Sequence, residues 1–261
     1  MTQTESRFSP GTFAPAPRPA APGPMLAAQT RMELTLLLRN GEQLLLTMFI
    51  PIALLVGLTV LPIGDDATRI EYLVPAIMAV AVMSTAFTGQ AIAVGFDRRY
   101  GALKRLGATP LPTWGVIAGK TLAVIIVVAL QAVILGGIGL ALGWRPDAPG
   151  LLMWLPVLAA GVFAFASLGL LLGGTLKAEV VLALANLLWF AMAAVGSLVV
   201  VHRHIPDAVV WIARITPSGA LTEALTRAST GNGFDVIGVL VLLGWGAVGS
   251  AAAVRLFRFT G

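Results

Sequence analysis

The sequence predicts an all-α, polytopic membrane protein with six transmembrane helices, and three observations carry that prediction. Hydrophobic residues make up 57% of the 261-residue chain and charged residues only 11%, whereas a soluble globule carries about 25% charged residues. The apolar residues gather into six charge-free runs, about 44 to 63, 72 to 95, 121 to 143, 154 to 176, 180 to 201 and 236 to 254. Each is near the roughly 20 residues that cross a hydrocarbon core as a helix. The 17 Lys and Arg fall in the gaps between these runs. The net charge of +5 and the pI near 10.4 therefore describe membrane orientation rather than a nucleic-acid surface.

Residues 1–24 hold six prolines among Ala, Ser and Thr, a composition expected to stay disordered because it can neither keep a helix nor bury a core. From residue 25 to 40, Met25, Ala28, Met32 and Leu36 share one helical face, with Gln29, Arg31, Glu33 and Arg39 elsewhere. That pattern suits an elbow helix in the membrane interface, broken at Gly41. The first apolar run begins too deep, near Leu44, to be a cleavable signal sequence. Pro51 and Pro75 lie in the first two spans, where membrane helices tolerate proline. Residues 151–201 are too long for one crossing, so Lys177 and Glu179 mark a tight hairpin between the fourth and fifth spans.

Six spans put both termini on one side of the membrane. Placing residues 1–43, 96–120, 177–179 and 255–261 in the cytoplasm collects 12 of the 17 Lys and Arg, which orients both termini inward. The last outer loop, from His202 to Asp235, is longer than a connector needs to be. Asp207 opens a short helix with Ala208, Ile212 and Ile215 on one face. Thr216 and Pro217 then read as N-cap and first-turn residues of a second helix carrying Ala220, Leu221, Ala224, Leu225 and Ala228. Two short apolar-faced helices joined at a proline suggest a re-entrant hairpin; an ordinary amphipathic surface loop is the alternative.

The most informative cytoplasmic stretch runs from Asp97 to Lys120. Arg98, Arg99, Lys104 and Arg105 lie close together, Leu103 and Leu106 are three apart on one helical face, and Pro110 and Pro112 stop any helix. Either this is a basic loop that only fixes topology, or it is a docking helix for a soluble motor. Gly115 to Thr121 is not a phosphate-binding loop, because that motif needs four residues between its first Gly and the Gly119-Lys120 pair, and the position that meets this spacing is Trp114. The chain is therefore not expected to be an enzyme or to bind ATP itself.

The order Asp97, Arg98, Gly101, Leu103, Leu106, Thr109-Pro110-Leu111 and Gly119-Lys120 resembles the loop after the second membrane helix in permeases of the ABC-2 type, with Asp97 where that family more often has Glu. The likeness in hydrophobic layout covers about residues 25 to 258. It implies one domain over residues 25–261 and a coupling helix that docks on a separate ATP-binding cassette ATPase. In that role Asp97, Arg98 and Arg99 pair at the rim of the ATPase, and Leu103 and Leu106 seat in its groove. Gly101 permits close approach, while Pro110 and Leu111 lead stiffly into the third helix. It also implies an outer hairpin, carrying Ile212, Ile215, Pro217, Leu221 and Leu225, that caps the substrate exit.

The remaining chemistry is sparse. Zero cysteines remove disulfides, thiolate metal sites and cysteine nucleophiles, and His202 and His204, two apart, lack the spacing of a helical metal site. As drawn, no span carries an ionisable residue, which argues against a proton-coupled carrier. Thr47, Thr59, Ser84, Thr85, Thr88, Gln90, Gln131, Ser167, Thr175, Asn186 and Ser197 are expected to bond helix to helix, and Gly169 and Gly173 to form a close-packing pair. Taken with the resemblance, the expectation is the plasma-membrane permease subunit of an exporter for a hydrophobic or amphipathic, drug-like substrate, most similar to the drug-resistance branch. No cofactor is expected in this chain, with Mg-ATP in the partner ATPase, and a second permease subunit, identical or related, completes the pair. A lipid or polysaccharide exporter, and a membrane assembly or anchor protein without transport, are the alternatives.

Overall fold

Helix α1 (Pro22–Arg39) begins on a proline in its first turn, where a missing N–H leaves no bond unmade. The computed structural model describes residues 20–61, 69–200 and 206–256. The helix thus reaches into the segment expected to be a tail, whose residues 1–19 lie outside the described residues, as do both histidines. The break after α1 falls at Asn40 rather than Gly41: the Asn40 side chain accepts the Gln43 N–H at 3.1 Å and starts the next helix.

The elements that follow are α2 (Gly41–Val60), α3 (Arg69–Arg99), α4 (Ala102–Gly107), α5 (Thr113–Ala141), α6 (Ala148–Thr175), α7 (Ala178–Val200), α8 (Asp207–Arg214), α9 (Pro217–Ser229) and α10 (Val236–Leu256). Helices α2, α3, α5, α6, α7 and α10 are long and apolar enough to cross a membrane, one for each predicted run, and the turn at Leu176 and Lys177 confirms the hairpin between the fourth and fifth. Two boundaries differ. Helix α3 continues through Arg99, and α5 starts at Thr113 rather than near 121, with Pro112 in extended conformation at its N-cap. Lys120 is therefore inside a spanning helix, and the expectation of charge-free spans does not hold there.

Helix α6 is the packing centre. Two of its glycines press on the backbone of α3: a Cβ on Gly169 would lie 2.8 Å from the Phe87 carbonyl oxygen, and one on Gly173 would strike that of Ala91. This is the small-residue packing expected of the pair, which lets backbones touch where lipid supplies no hydrophobic drive between helices. Gly246 faces Phe163 and Gly249 faces Ser167, so α10 runs parallel to α6 on another side.

Two stretches of π-helix interrupt the spans, Leu45–Phe49 in α2 and Met83–Gly89 in α3. The first has a local cause. Pro51 has no N–H to offer the carbonyl of Thr47, four residues earlier, and its ring crowds that carbonyl. Gln131 of α5, fully buried, supplies the missing donor: its Nε2 reaches the Thr47 oxygen at 2.9 Å and the Thr85 hydroxyl at 2.8 Å. One amide thereby ties both π stretches to the third span. Trp189 does the same for the second and fifth spans by donating to Ser84 at 3.0 Å. Other hydroxyls expected as glue act differently. Thr59, Thr175 and Ser197 bond carbonyls of their own helices, as does the Asn186 amide.

Gln131→Leu should destabilise the chain by about 1–3 kcal/mol, the cost of leaving a buried carbonyl without its donor. The expected readout is a lowered Tm in detergent, with Asn186→Leu on the exposed side of α7 leaving it unchanged.

Candidate functional site

Asp97, Arg98 and Arg99 form the last turn of α3, not the first turn of a separate docking helix. The chain then turns at Gly101, whose φ of 69° is a left-handed conformation that glycine adopts without strain. A Cβ there would meet nothing within 4 Å. Gly101 makes the corner from which α4 begins.

The charges expected to face a partner are used inside the chain. Lys120 Nζ lies 2.8 Å from Glu33 and 2.7 Å from Asp97, joining α5 to α1 and α3, with the lysine side chain only 7% exposed. Gln29 donates to the other Glu33 oxygen at 2.8 Å. Gly119 makes room for this, because any Cβ would run into the Gln29 side chain. Arg98 donates to the carbonyls of Gly173 at 3.0 Å and Leu176 at 2.9 Å. It caps the end of α6, where unbonded carbonyls concentrate negative charge. Arg99 pairs with Glu179 in the first turn of α7, with both side chains exposed.

The leucines are also committed. Leu103 is 1% exposed and packs with Val94, Val116 and Leu170; Leu106 and Leu111 lean on the same cluster. Leu103 therefore faces the bundle, because the amphipathic face of α4 finds its apolar partner in α3, α5 and α6. The exposed surface around α4 includes Tyr100, Lys104, Arg105, Pro110 and Trp114, together with Arg99 and the 107–109 turn. Sequence reasoning missed Glu33 and Lys120. The available signal was a carboxylate four residues after Gln29 on a helix whose apolar side lay elsewhere.

The second group of candidate residues lies at the other end of α6. Thr216 caps α9 as expected, its hydroxyl accepting the Gly219 N–H at 3.2 Å. Ile212 and Ile215 point outward, whereas Pro217, Leu221 and Leu225 are buried. Leu221 sits against Gly161, midway along α6. Trp154 donates to the Leu225 carbonyl at 3.2 Å and to Ser229 at 3.0 Å. The corner between α8 and α9 is fixed by Trp245, which donates to the Ile215 carbonyl at 2.9 Å. Trp245 lies nine residues into α10, roughly 13 Å along its axis, so the hairpin reaches well down the bundle. Arg214 holds it at 3.1 Å from the buried Asp235, a clamp that the sequence reading did not name.

Both groups of residues, and all but the first spanning helix, fall within residues 64–255, which match the family model described as ABC-2 family transporter protein. The chain belongs to that family. No protein of curated function matches it. In the ABC-2 family the membrane protein generally works with an ATPase subunit. This member is a multi-pass membrane protein of the transporter permease kind, with six apolar helices long enough to span among the described residues. Helices α1 and α2 lie outside the matched residues.

In this ABC-2 protein the ion pairs should rank by burial. Lys120→Ala, which strands Glu33 without its counter-ion, should cost about 3–5 kcal/mol. Arg99→Ala should cost under ~1 kcal/mol, because an exposed pair gains little over water. Thermal melts of the two variants in one detergent check the order, and equal losses would contradict it.

Proposed function

We propose that this chain is the permease subunit of an ATP-binding cassette exporter, working with a separate ATPase and a second permease subunit in the plasma membrane. The observation that carries the proposal is the attachment of α4. A six-residue basic helix is seated on one end of the bundle, and Arg98 and Arg99, just before its corner, are bonded to α6 and α7, while Asp97 is bonded through Lys120 to α1 and α5. A push on α4 therefore reaches five helices at once. A ligand or motor shifts a conformational equilibrium only through contacts that differ between states, and the exposed rim of Tyr100, Lys104, Arg105 and Trp114 is where an ATPase would make them.

In this reading the α4 end, both termini and Lys177 are cytoplasmic, and α1 is the elbow at that face. The α8–α9 hairpin is re-entrant from the outer side and closes the exit. Apolar and hydroxyl-bearing side chains dominate the bundle interior, which suits a hydrophobic or amphipathic, drug-like cargo. ATP hydrolysis belongs to the partner, with Mg-ATP bound there.

The test is co-expression with a candidate ATP-binding cassette ATPase from the same source. Lys104→Glu with Arg105→Glu should weaken co-purification roughly tenfold, more so at low salt, because exposed charges are screened. Leu103→Asp should lower the Tm of the permease alone. Full assembly and full substrate-stimulated hydrolysis by the double reversal would sink the proposal. Orientation has its own check in this cysteine-free chain: Thr109→Cys should be shielded from an impermeant maleimide added outside intact cells, and Ala148→Cys should be labelled.

A further inference from the structure

Helix α1 is amphipathic the wrong way round for a helix packed only on protein. It buries Gln29 and Glu33 and turns Met32 and Leu36 outward, the latter 58% exposed. Beside the apolar row of Ala28, Met32 and Leu36 runs a second row, Arg31, Thr35 and Arg39, spaced by four residues, and the two rows share one open face of the helix, with a shallow crevice between their side chains. Neither arginine forms an ion pair among the described residues. The Thr35 hydroxyl is turned back to the Arg31 carbonyl at 2.7 Å, leaving the guanidinium groups as the polar character of that row.

We propose that this face of α1 binds an anionic phospholipid, the two arginines holding the phosphate headgroup and the Met32–Leu36 row receiving an acyl chain. Three observations choose this occupant. Charge complementarity asks for an anion, since the one acidic residue of α1, Glu33, is already taken by Lys120. The apolar row lies parallel to the cationic row along the helix, so a ligand must be charged at one edge and hydrocarbon at the other. The crevice also sits at the right depth. Glu33 is level with Lys120, the last charge before the apolar body of α5 begins, and that is where headgroups give way to hydrocarbon. One cation near an anionic headgroup gives a modest gain, and two with an apolar anchor give a selective one. The inference needs the chain to be a membrane protein but not to transport anything.

The experiment is native mass spectrometry of the full chain purified in neutral detergent, offered dioleoyl phosphatidylglycerol and dioleoyl phosphatidylcholine in equal amounts. The wild-type chain should retain phosphatidylglycerol over phosphatidylcholine by about tenfold or more, as two cations near an anionic headgroup allow. In Arg31→Gln/Arg39→Gln the preference should fall to within about twofold of unity, and Arg31→Lys/Arg39→Lys should keep most of it. Met32→Glu/Leu36→Glu should lose retention of both lipids. Arg145→Gln, at the opposite end of the bundle, should match wild type. Helical circular dichroism checks that each variant is folded. Wild-type preference surviving in the double glutamine variant would overturn the proposal. So would a loss of ATPase or of oligomeric mass in that variant with lipid preference unchanged, which would assign the face to a protein partner.

Discussion

A single buried ammonium, Lys120, held between the carboxylates of Glu33 and Asp97, is the constraint on which one whole end of this molecule depends. An ion removed from water is tolerable only when its counter-ions come with it in good geometry. That condition dictates several features that otherwise look unrelated. Helix α1 must present its polar side to the bundle, Gly119 must carry no side chain, and α3 must run past its apolar stretch far enough to deliver Asp97. Once these are in place, Arg98 and Arg99 fall one and two residues further on, in reach of the end of α6 and the start of α7.

The spans, their hairpin, the short helices α8 and α9 and the Thr216 cap were legible because apolar period, proline and N-cap chemistry are local properties. The roles of the Asp97–Lys120 stretch were not. A sequence shows that Leu103 and Leu106 share a face, but whether that face meets a partner or its own bundle depends on helices far away in the chain. The same holds for charge. Asp97, Arg98 and Arg99 read as charges for a partner's rim because their partners in the chain, Lys120, the α6 carbonyls and Glu179, are up to 80 residues distant. Lys120 itself read as loop because a lysine next to an apolar run ordinarily marks a membrane edge. The ABC-2 likeness of the loop was visible in the motif, and the family match over residues 64–255 bears out the family.

The α8–α9 hairpin shows a related economy of means. In water, two short helices would be held by burying apolar area; between helices that are themselves apolar, shape and hydrogen bonds must serve instead. Gly161 admits Leu221, the Gly219 backbone touches the Ala213 carbonyl, and two tryptophan N–H groups take up the carbonyls of Leu225 and Ile215. The hairpin is thus fixed at its corner and along α9, while Ile212 and Ile215 stay on the outside of the structure.

The link from Gln131 to the Thr47 carbonyl has a consequence for how the chain is made. Translation delivers α2 first, with a carbonyl that Pro51 has left without a donor, and its partner arrives 84 residues later. At roughly 5–20 residues per second, the ribosome needs several seconds to close that gap. Glu33 waits a similar time for Lys120, 87 residues on. The first span and the helix before it therefore leave the ribosome with unmet polar groups, and both are settled by the same newcomer, α5. The polar contacts of α1 and of the first span are thus complete only once α5, the third span, has been made.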